Sequence, residues 1–162
     1  MAADRSFDGE GVKYFMKLFT NTNDKHDFLL NLFEKYGEGC DVYIASAFFT
    51  HERMISNLVQ RGCRVYLVVR LGYPTSYEAL NALLSIQEVQ VRFYTSRAYH
   101  PKIYILGSQI ASVGSSNLTD AGLVSNQEVN VAIPADNPVF SDILDLFSNY
   151  WEQARVLDPA IL

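Results

Sequence analysis

The chain has 162 residues, of which 49% are hydrophobic, and a formal net charge of −5. This length and apolar content suffice for one substantial core and predict a single domain. No apolar stretch reaches membrane-spanning length, and the first residues lack the apolar region of a signal peptide. We therefore expect a cytoplasmic protein with no membrane partner. The negative net charge, in turn, opposes broad electrostatic attraction to nucleic acid, which rests on lysine and arginine contacts to phosphates.

Two cysteines, Cys40 and Cys63, precede predicted apolar strands. We interpret them as reduced residues at the edge of the core, as in cytosolic proteins, with a disulfide as the alternative. The sequence has no Cys/His cluster with zinc spacing, no glycine-rich loop ending in Gly-Lys-Ser/Thr and no Gly-x-Gly-x-x-Gly. We therefore expect neither a metal site nor a cofactor.

Strands and helices alternate along the first part of the chain. The first predicted strand covers Val12 to Phe19, and an amphipathic helix follows from Asp24 to Tyr36. Further strands are predicted over 41–47, 64–70 and 89–94, and further helices over 52–61 and 77–86. This alternation predicts an α/β sandwich, in which helices flank both faces of a mixed, mostly parallel β-sheet.

A hairpin is predicted next. Lys102 to Leu106 is rich in β-branched and aromatic residues, as strands are. Gly107 and Ser108 suit the central positions of a type II′ turn, after which the chain returns over Gln109 to Val113. Because apolar residues alternate with Lys102 on the first strand, we expect that strand to be central in the sheet.

After the hairpin we predict a strand from Glu128 to Ile133 and a last helix from about Pro138 to Gln153 or Ala154. The whole of residues 1–155 is interpreted as one domain. Residues 156–162 are interpreted as a tail, or as the start of a linker to a further domain in a longer natural protein.

Residues that suit attack on a phosphodiester meet at one end of the predicted hairpin. His100 and Lys102 are two apart, so their side chains share a face of the strand. Asn117 lies just past the end of the return strand, which brings it back beside them. A lysine and an asparagine can hold phosphate oxygens, a carboxylate such as Glu128 can orient the imidazole, and the imidazole can be the nucleophile.

Each of these residues has an ordinary interpretation when it is taken alone. His100 or Lys102 could be a solvated strand residue, Asn117 a turn cap, and Glu128 a surface charge. Ser115 either contacts phosphate or the partners of His100, or only shapes its loop. Taken together, the spacing favours a catalytic set with one substrate-binding serine: His100, Lys102, Asn117 and Glu128, with Ser115.

Positive charge also gathers in the middle of the chain, at Arg64, Arg70, Arg92, Arg97 and Lys102. Such a cluster predicts a positive cleft on an acidic body, with ordinary solvated surface as the alternative. Arg97 and Tyr99, just before His100, are the candidates for a phosphate clamp and for an aromatic that stacks on a base or packs.

The spacing of the catalytic candidates resembles the HKD motif of the phospholipase D superfamily: His100-x-Lys102, Gly114-Ser115-x-Asn117 and Glu128. The likeness runs from about residue 17 to 155, and residues 44–50, 64–70 and 116–119 resemble the family's sheet and loop segments. It is strongest to the small bacterial nuclease and restriction-endonuclease-like members, which carry one motif per chain. One departure is Gly107, where members usually have an aspartate. We interpret that position as the hairpin turn.

The resemblance implies a metal-independent mechanism with two motifs facing each other across a twofold axis. One histidine forms a phosphohistidine, and the other protonates the leaving alcohol and later activates water. This chain has one such motif, because His26 and His51 lack a lysine two residues on. The implied partner is therefore a second copy, in a homodimer with its site on the axis.

Three functions are compatible with this sequence. We favour an endonuclease acting on nucleic acid, most simply DNA, as a module of a restriction or helicase-like system. A non-catalytic, dimerising or nucleic-acid-binding domain is the first alternative, because of Gly107 and the acidic balance. A phospholipase or phosphatidyltransferase is the second, although no membrane-facing apolar loop or amphipathic basic helix is found.

Overall fold

The computed structural model describes the backbone of residues 4–9, 12–20 and 28–162, and the side chains of 15–20 and 28–162. Its strands are β1 Asp4–Gly9, β2 Val12–Thr20, β3 Asp41–Ser46, β4 Arg64–Arg70, β5 Val89–Tyr94, β6 Lys102–Leu106, β7 Ile110–Gly114, β8 Val129–Pro134 and β9 Arg155–Val156. Its α-helices are α1 Phe28–Tyr36, α2 Glu52–Gln60, α3 Tyr77–Leu83 and α4 Val139–Gln153. A π-helical turn, Ala121–Ser125, and a 3₁₀ turn, Pro159–Ile161, complete the described elements.

The strands form one mixed sheet in the order β1-β2-β8-β7-β6-β3-β4-β5-β9. The predicted α/β class and mixed sheet are confirmed, but the expectation of a mostly parallel sheet is wrong. In the described part of the chain, only the β3–β4 and β4–β5 pairs are parallel. Those strands are joined through α2 and α3, whereas β6 and β7 are joined by a tight hairpin, which makes neighbouring strands antiparallel.

Helices cover both faces of the sheet, as predicted. Apolar residues of α1, α2 and α3 share one buried cluster with alternate residues of the central strands. The other face packs against α4, through Phe140, Ile143 and Phe147. Strand β6 lies at the centre of the sheet order and is buried along its whole length. Its Tyr104 belongs to the first cluster and its Ile105 to the second.

The predicted boundaries fall close to the observed ones, with identifiable differences. Strand β1 was not predicted, because its sequence, Asp-Arg-Ser-Phe-Asp-Gly, lacks an apolar alternation. The first four residues of the predicted helix 24–36, and His26 among them, lie outside the described residues. Both cysteines are free, with Cys63 buried. Within the described residues, no helix has both the length and the apolar content that a membrane crossing requires.

The hairpin between β6 and β7 turns at the predicted glycine, but its loop has three residues instead of the predicted two, because Leu106 pairs with Ile110, where β7 begins. Gly107 has a φ of 55°, a conformation that favours glycine, and the Gln109 N–H donates to the Leu106 carbonyl at 3.2 Å. A side chain at Gly107 would meet Cys40, whose Cβ lies 3.2 Å from the ideal Cβ position. This turn lies at the opposite end of β6 from Lys102, about 16 Å along the strand.

A groove of about 360 Å³ lies between β2 and α1. Its floor includes Ile110 and Pro134, which stand at the turn end of β7 and its neighbour β8. The groove is therefore separated from Lys102 by the length of the central strands.

The predicted tail begins within the fold. Strand β9 pairs with β5, the Leu157 N–H donates to the Val91 carbonyl at 3.0 Å, and the Leu157 side chain is buried. The prediction of a tail over 156–162 is therefore corrected for its first residues. A further domain in a longer natural protein stays a prediction.

Replacing Leu157 with alanine should lower the free energy of unfolding by about 2–3 kcal/mol, because it leaves a cavity in the core. Ile161→Ala is the matched control, since Ile161 is 40% exposed and should cost less than about 1 kcal/mol. Chemical denaturation of both variants checks the difference. Equal, small losses would mean that the segment after β9 contributes nothing to the domain.

Candidate active site

The candidate residues gather at one edge of the sheet because of strand direction. Strand β3 ends where the antiparallel β6 begins, and Ser46 pairs with Lys102. Strand β7 runs back to the same edge and ends at Gly114, which pairs with Asn130. A Cβ on Gly114 would lie 2.2 Å from the Val129 carbonyl oxygen, so only glycine allows this close approach.

His100 and Lys102 are in direct contact, as their spacing predicts. Lys102 Nζ lies 2.6 Å from His100 Nδ1 and 3.4 Å from Nε2, and it donates to the His100 carbonyl at 3.0 Å. The lysine is buried, whereas the imidazole is exposed. A charged ammonium makes Nδ1 an acceptor, which puts the proton of the neutral ring on Nε2.

The pKa values of both groups are lowered. Burial is the main cause for His100, and the positive charges of Lys102 and Arg70 add to it, against a backbone hydrogen bond that raises the pKa. Burial is also the main cause for Lys102; Glu128 opposes the shift and Arg70 adds to it. The neutral form of the imidazole, which is the nucleophilic form, is therefore favoured near neutral pH.

Glu128 lies at the site, but its hydrogen bonds differ from the predicted one to the His100 imidazole. Its carboxylate accepts a very short hydrogen bond from Ser115 Oγ and another from Asn126 Nδ2 at 3.2 Å. Among the described residues, these donors hold its oxygens in place of the His100 imidazole. The Ser115 hydroxyl also accepts from the Val129 N–H at 2.9 Å, so it links the carboxylate to the start of β8.

Asn117 is fixed by the segment that follows β3. Its Oδ1 accepts from the Phe48 N–H at 3.2 Å, which leaves Nδ2 as the donor that can meet a ligand. Ser46 Oγ donates to the Phe48 carbonyl at 2.7 Å and accepts from the Leu118 N–H at 3.0 Å. Gly122 packs on the same loop, because a Cβ there would lie 2.3 Å from the Asn117 carbonyl oxygen.

Tyr99 is not a base-stacking residue, which corrects its prediction as a substrate-binding side chain. It is buried on the α4 face, stacks on Tyr94 with ring centroids 4.3 Å apart, and donates to the Val68 carbonyl at 3.2 Å. Its alternative interpretation as a packing aromatic is the right one. Arg97, in contrast, is exposed, and its carbonyl accepts from Arg70 Nη1 at 3.1 Å.

The predicted cluster of arginines is only partly assembled. Arg64 pairs with Asp41 at 2.8 Å, at the far end of β4. Arg92 Nη1 donates to the Trp151 carbonyl at 2.7 Å, and its guanidinium lies over the Trp151 ring. Of this predicted cluster, Arg70, Arg97 and Lys102 therefore lie at the site edge: Arg70 ends β4, Lys102 begins β6, and Arg97 lies in the loop that leads to β6.

Two residues of the site were not named as site residues from the sequence. The Phe48 ring meets the His100 ring edge-on, with centroids 5.6 Å apart and an interplanar angle of 86°. The Arg70 guanidinium carbon lies 4.5 Å from the centroid of the Phe48 ring. Both follow or end parallel strands, whose carboxyl ends meet at one edge of the sheet. That rule, applied to β3 and β4, could have identified them.

His51, in contrast, has a structural role. Its Nδ1 accepts from the Met54 N–H at 3.3 Å at the start of α2, and its Nε2 lies 3.3 Å from Asp120 Oδ1. The arrangement at His100 combines an exposed imidazole, a buried ammonium and an amide donor. Such a set can bind an anionic, tetrahedral group and attack its central atom.

A family model described as "Cardiolipin synthase, PLD-like domain" matches residues 39–151 of the chain. This range contains every predicted site residue. No curated protein sequence matches the chain.

Solved structures share the fold. Nuc, a phospholipase D family member from Salmonella typhimurium, aligns with a TM-score of 0.71 and 18% identity, over 88% of this chain and 97% of its own. NucT from Helicobacter pylori aligns with a TM-score of 0.73 and 18% identity, over 88% and 98%. Phosphatidylserine synthase from Haemophilus influenzae aligns with a TM-score of 0.65 and 13% identity, over 88% of this chain but 40% of its own. At these identities the likeness concerns the fold.

Proposed function

The chain belongs to the phospholipase D superfamily, through its PLD-like domain, and from that premise we propose that it is a metal-independent endonuclease acting on DNA. Members of the superfamily are phosphodiesterases and nucleases. The observation that carries the proposal is the exposed His100 imidazole in contact with the buried Lys102 ammonium. An exposed nucleophile thus lies beside a fixed positive charge that is buried.

The proposed reaction begins when a phosphate group binds between Lys102 and the Asn117 amide. The ammonium moves its hydrogen bond from the imidazole to a phosphate oxygen, which frees the ring to attack. A His100 ring nitrogen forms a bond to phosphorus while the bond to the leaving oxygen breaks, which yields a phosphohistidine. Lys102 and Asn117 stabilise the charge on the phosphoryl oxygens. Water then cleaves the phosphohistidine and regenerates the imidazole.

A second histidine must protonate the leaving oxygen and later activate the water. The sequence offers one His-x-Lys pair, since neither His26 nor His51 has a lysine two residues on. We therefore infer a homodimer in which the second imidazole comes from another copy, across a twofold axis.

A non-catalytic domain that dimerises or binds nucleic acid is the second candidate. The net charge of −5 favours the dimerising form, because an acidic protein opposes the approach of a phosphate backbone, which both cleavage and binding of nucleic acid require. The approach of a phosphate backbone is nevertheless favourable at the site edge, where the positive charges of Arg70, Arg97 and Lys102 lie.

Replacing His100 with alanine should abolish cleavage, because the attacking nitrogen is lost. Lys102→Met and Asn117→Ala should each lower kcat by about 10²–10³-fold, because each removes one group that stabilises the phosphoryl oxygens. Lys35→Ala and Asn57→Ala are matched controls on exposed positions of α1 and α2. The measurement is cleavage of plasmid and single-stranded DNA in EDTA, with a denaturing gel under alkaline conditions to detect a covalent protein–DNA adduct.

Full activity of folded His100→Ala would refute the proposed mechanism. Binding of DNA without cleavage by the wild-type protein would favour the non-catalytic candidate. Release of headgroups from phospholipid vesicles, with no cleavage of DNA, would favour a lipid phosphodiesterase.

If two copies share one site, the His100→Ala variant should lower the activity of the wild-type protein when the two are mixed. When equal amounts are mixed and allowed to exchange, about half of the wild-type subunits pair with inactive ones, so the activity per wild-type subunit should fall by about half. Sedimentation of the same samples gives the oligomeric state. Activity unaffected by any excess of His100→Ala, in a protein that sediments as a monomer, would contradict a shared site.

Gly107→Asp restores the aspartate that members of the family usually carry and should leave kcat/KM within about threefold of wild type. The reason is its place in the hairpin turn, at the far end of β6 from Lys102. A positive φ costs a residue other than glycine about 1 kcal/mol of stability, which thermal unfolding would report. A large gain in activity would mean that this position affects the site.

A further inference from the structure

We propose that Phe48 and Arg70 are positioning residues that hold His100 and Asn117 in their reactive arrangement, an inference that rests on the proposed function of this site. Neither residue belongs to the His-x-Lys or Gly-Ser-x-Asn motif. Both stand at the ends of parallel strands that meet this edge of the sheet, one just after β3 and the other at the end of β4.

Phe48 joins the two motifs through different parts of one residue. Its N–H donates to Asn117 Oδ1 at 3.2 Å, which fixes the amide with Nδ2 available to a phosphate oxygen. Its ring stands edge-on to the His100 ring, at 5.6 Å and 86°. The distance between the imidazole and the amide donor is therefore set by a single side chain and its own backbone. Ser46 holds this backbone in turn, through the 2.7 Å bond to the Phe48 carbonyl.

Arg70 contacts both the Phe48 ring and the backbone segment that precedes His100. Its guanidinium carbon lies 4.5 Å from the centroid of the Phe48 ring, at a distance typical of a cation–π contact. Its Nη1 donates to the Arg97 carbonyl at 3.1 Å, which fixes the segment that leads into His100. The Arg70 side chain is half-buried, and its hydrogen bond to the Arg97 carbonyl lies at the exposed end of the site. One guanidinium thus restrains both the ring beside His100 and the backbone before it.

Arg70 also adds positive charge beside the imidazole. The charged groups near this point are Lys102 from β6, Arg70 from β4, Arg97 from the preceding loop, and Glu128, which acts on Lys102. Burial, Lys102 and Arg70 together lower the pKa of His100. Removal of the Arg70 charge should therefore raise the pKa and reduce the neutral, nucleophilic fraction at a given pH. A residue with only a packing role would not have this effect.

The test is a titration of His100 by nuclear magnetic resonance, which needs no substrate. The His100 resonance is identified by its loss in His100→Ala. In Arg70→Gln the titration midpoint should move to higher pH, and in Arg70→Lys, which keeps the charge, it should stay near wild type. Arg64→Gln is the matched control, because Arg64 lies at the other end of the same strand, paired with Asp41. An unchanged midpoint in Arg70→Gln, or an equal change in the control, would overturn the role of Arg70.

Kinetics test the positioning of the two motifs. Phe48→Leu should lower kcat by about tenfold or more with little change in KM, because small misplacements of reacting groups are costly. Arg70→Lys should lower kcat as well, since an ammonium cannot both stack on the ring and bond the Arg97 carbonyl in the same geometry. Wild-type kcat in a folded Phe48→Leu variant would overturn its role. If the wild type cleaves no substrate and yet Arg70→Gln shifts the His100 midpoint, the proposed function fails while the electrostatic role of Arg70 stands.

Discussion

A buried ammonium beside an exposed imidazole organises this end of the molecule. Lys102 opens the central strand of the sheet, and its Nζ contacts both the ring and the carbonyl of His100. A buried cation is costly unless it has partners, so the contact with His100 and the nearby negative charge of Glu128 are needed to keep it there. Phosphate would complete the set of partners. The buried Lys102 ammonium is costly while the site is empty, and its charge therefore favours the binding of an anion there.

Hydrogen bonds between segments that are far apart in sequence hold this arrangement together. The segment after β3 bonds the loop after β7, through Ser46, Phe48 and Asn117. Tyr104 from β6 reinforces the second loop, because its hydroxyl donates to the Ser116 carbonyl at 2.7 Å. The site is consequently built on the ends of a packed sheet, which suits chemistry that depends on position and charge.

The charge of the molecule is uneven in a way that matters for an anionic substrate. Arginines of the same central region have different surroundings: Arg64 is neutralised by Asp41, Arg92 packs on Trp151, and Arg70 faces the site. An overall charge of −5 therefore coexists with a locally positive edge.

The local sequence determined the helices, the strands from β2 to β8, the hairpin turn at Gly107, and the meeting of His100 with Lys102, because side chains two apart on a strand share a face. Apolar pattern could not reveal that β6 pairs antiparallel with β3 and β8 with β7, or that Tyr99 points into the core, since both depend on which surfaces meet after folding. Phe48, Arg70 and the Ser115 bond to Glu128 belong to this second group. Their contacts join segments separated by 13 to 69 positions, and only the packed sheet brings such segments together.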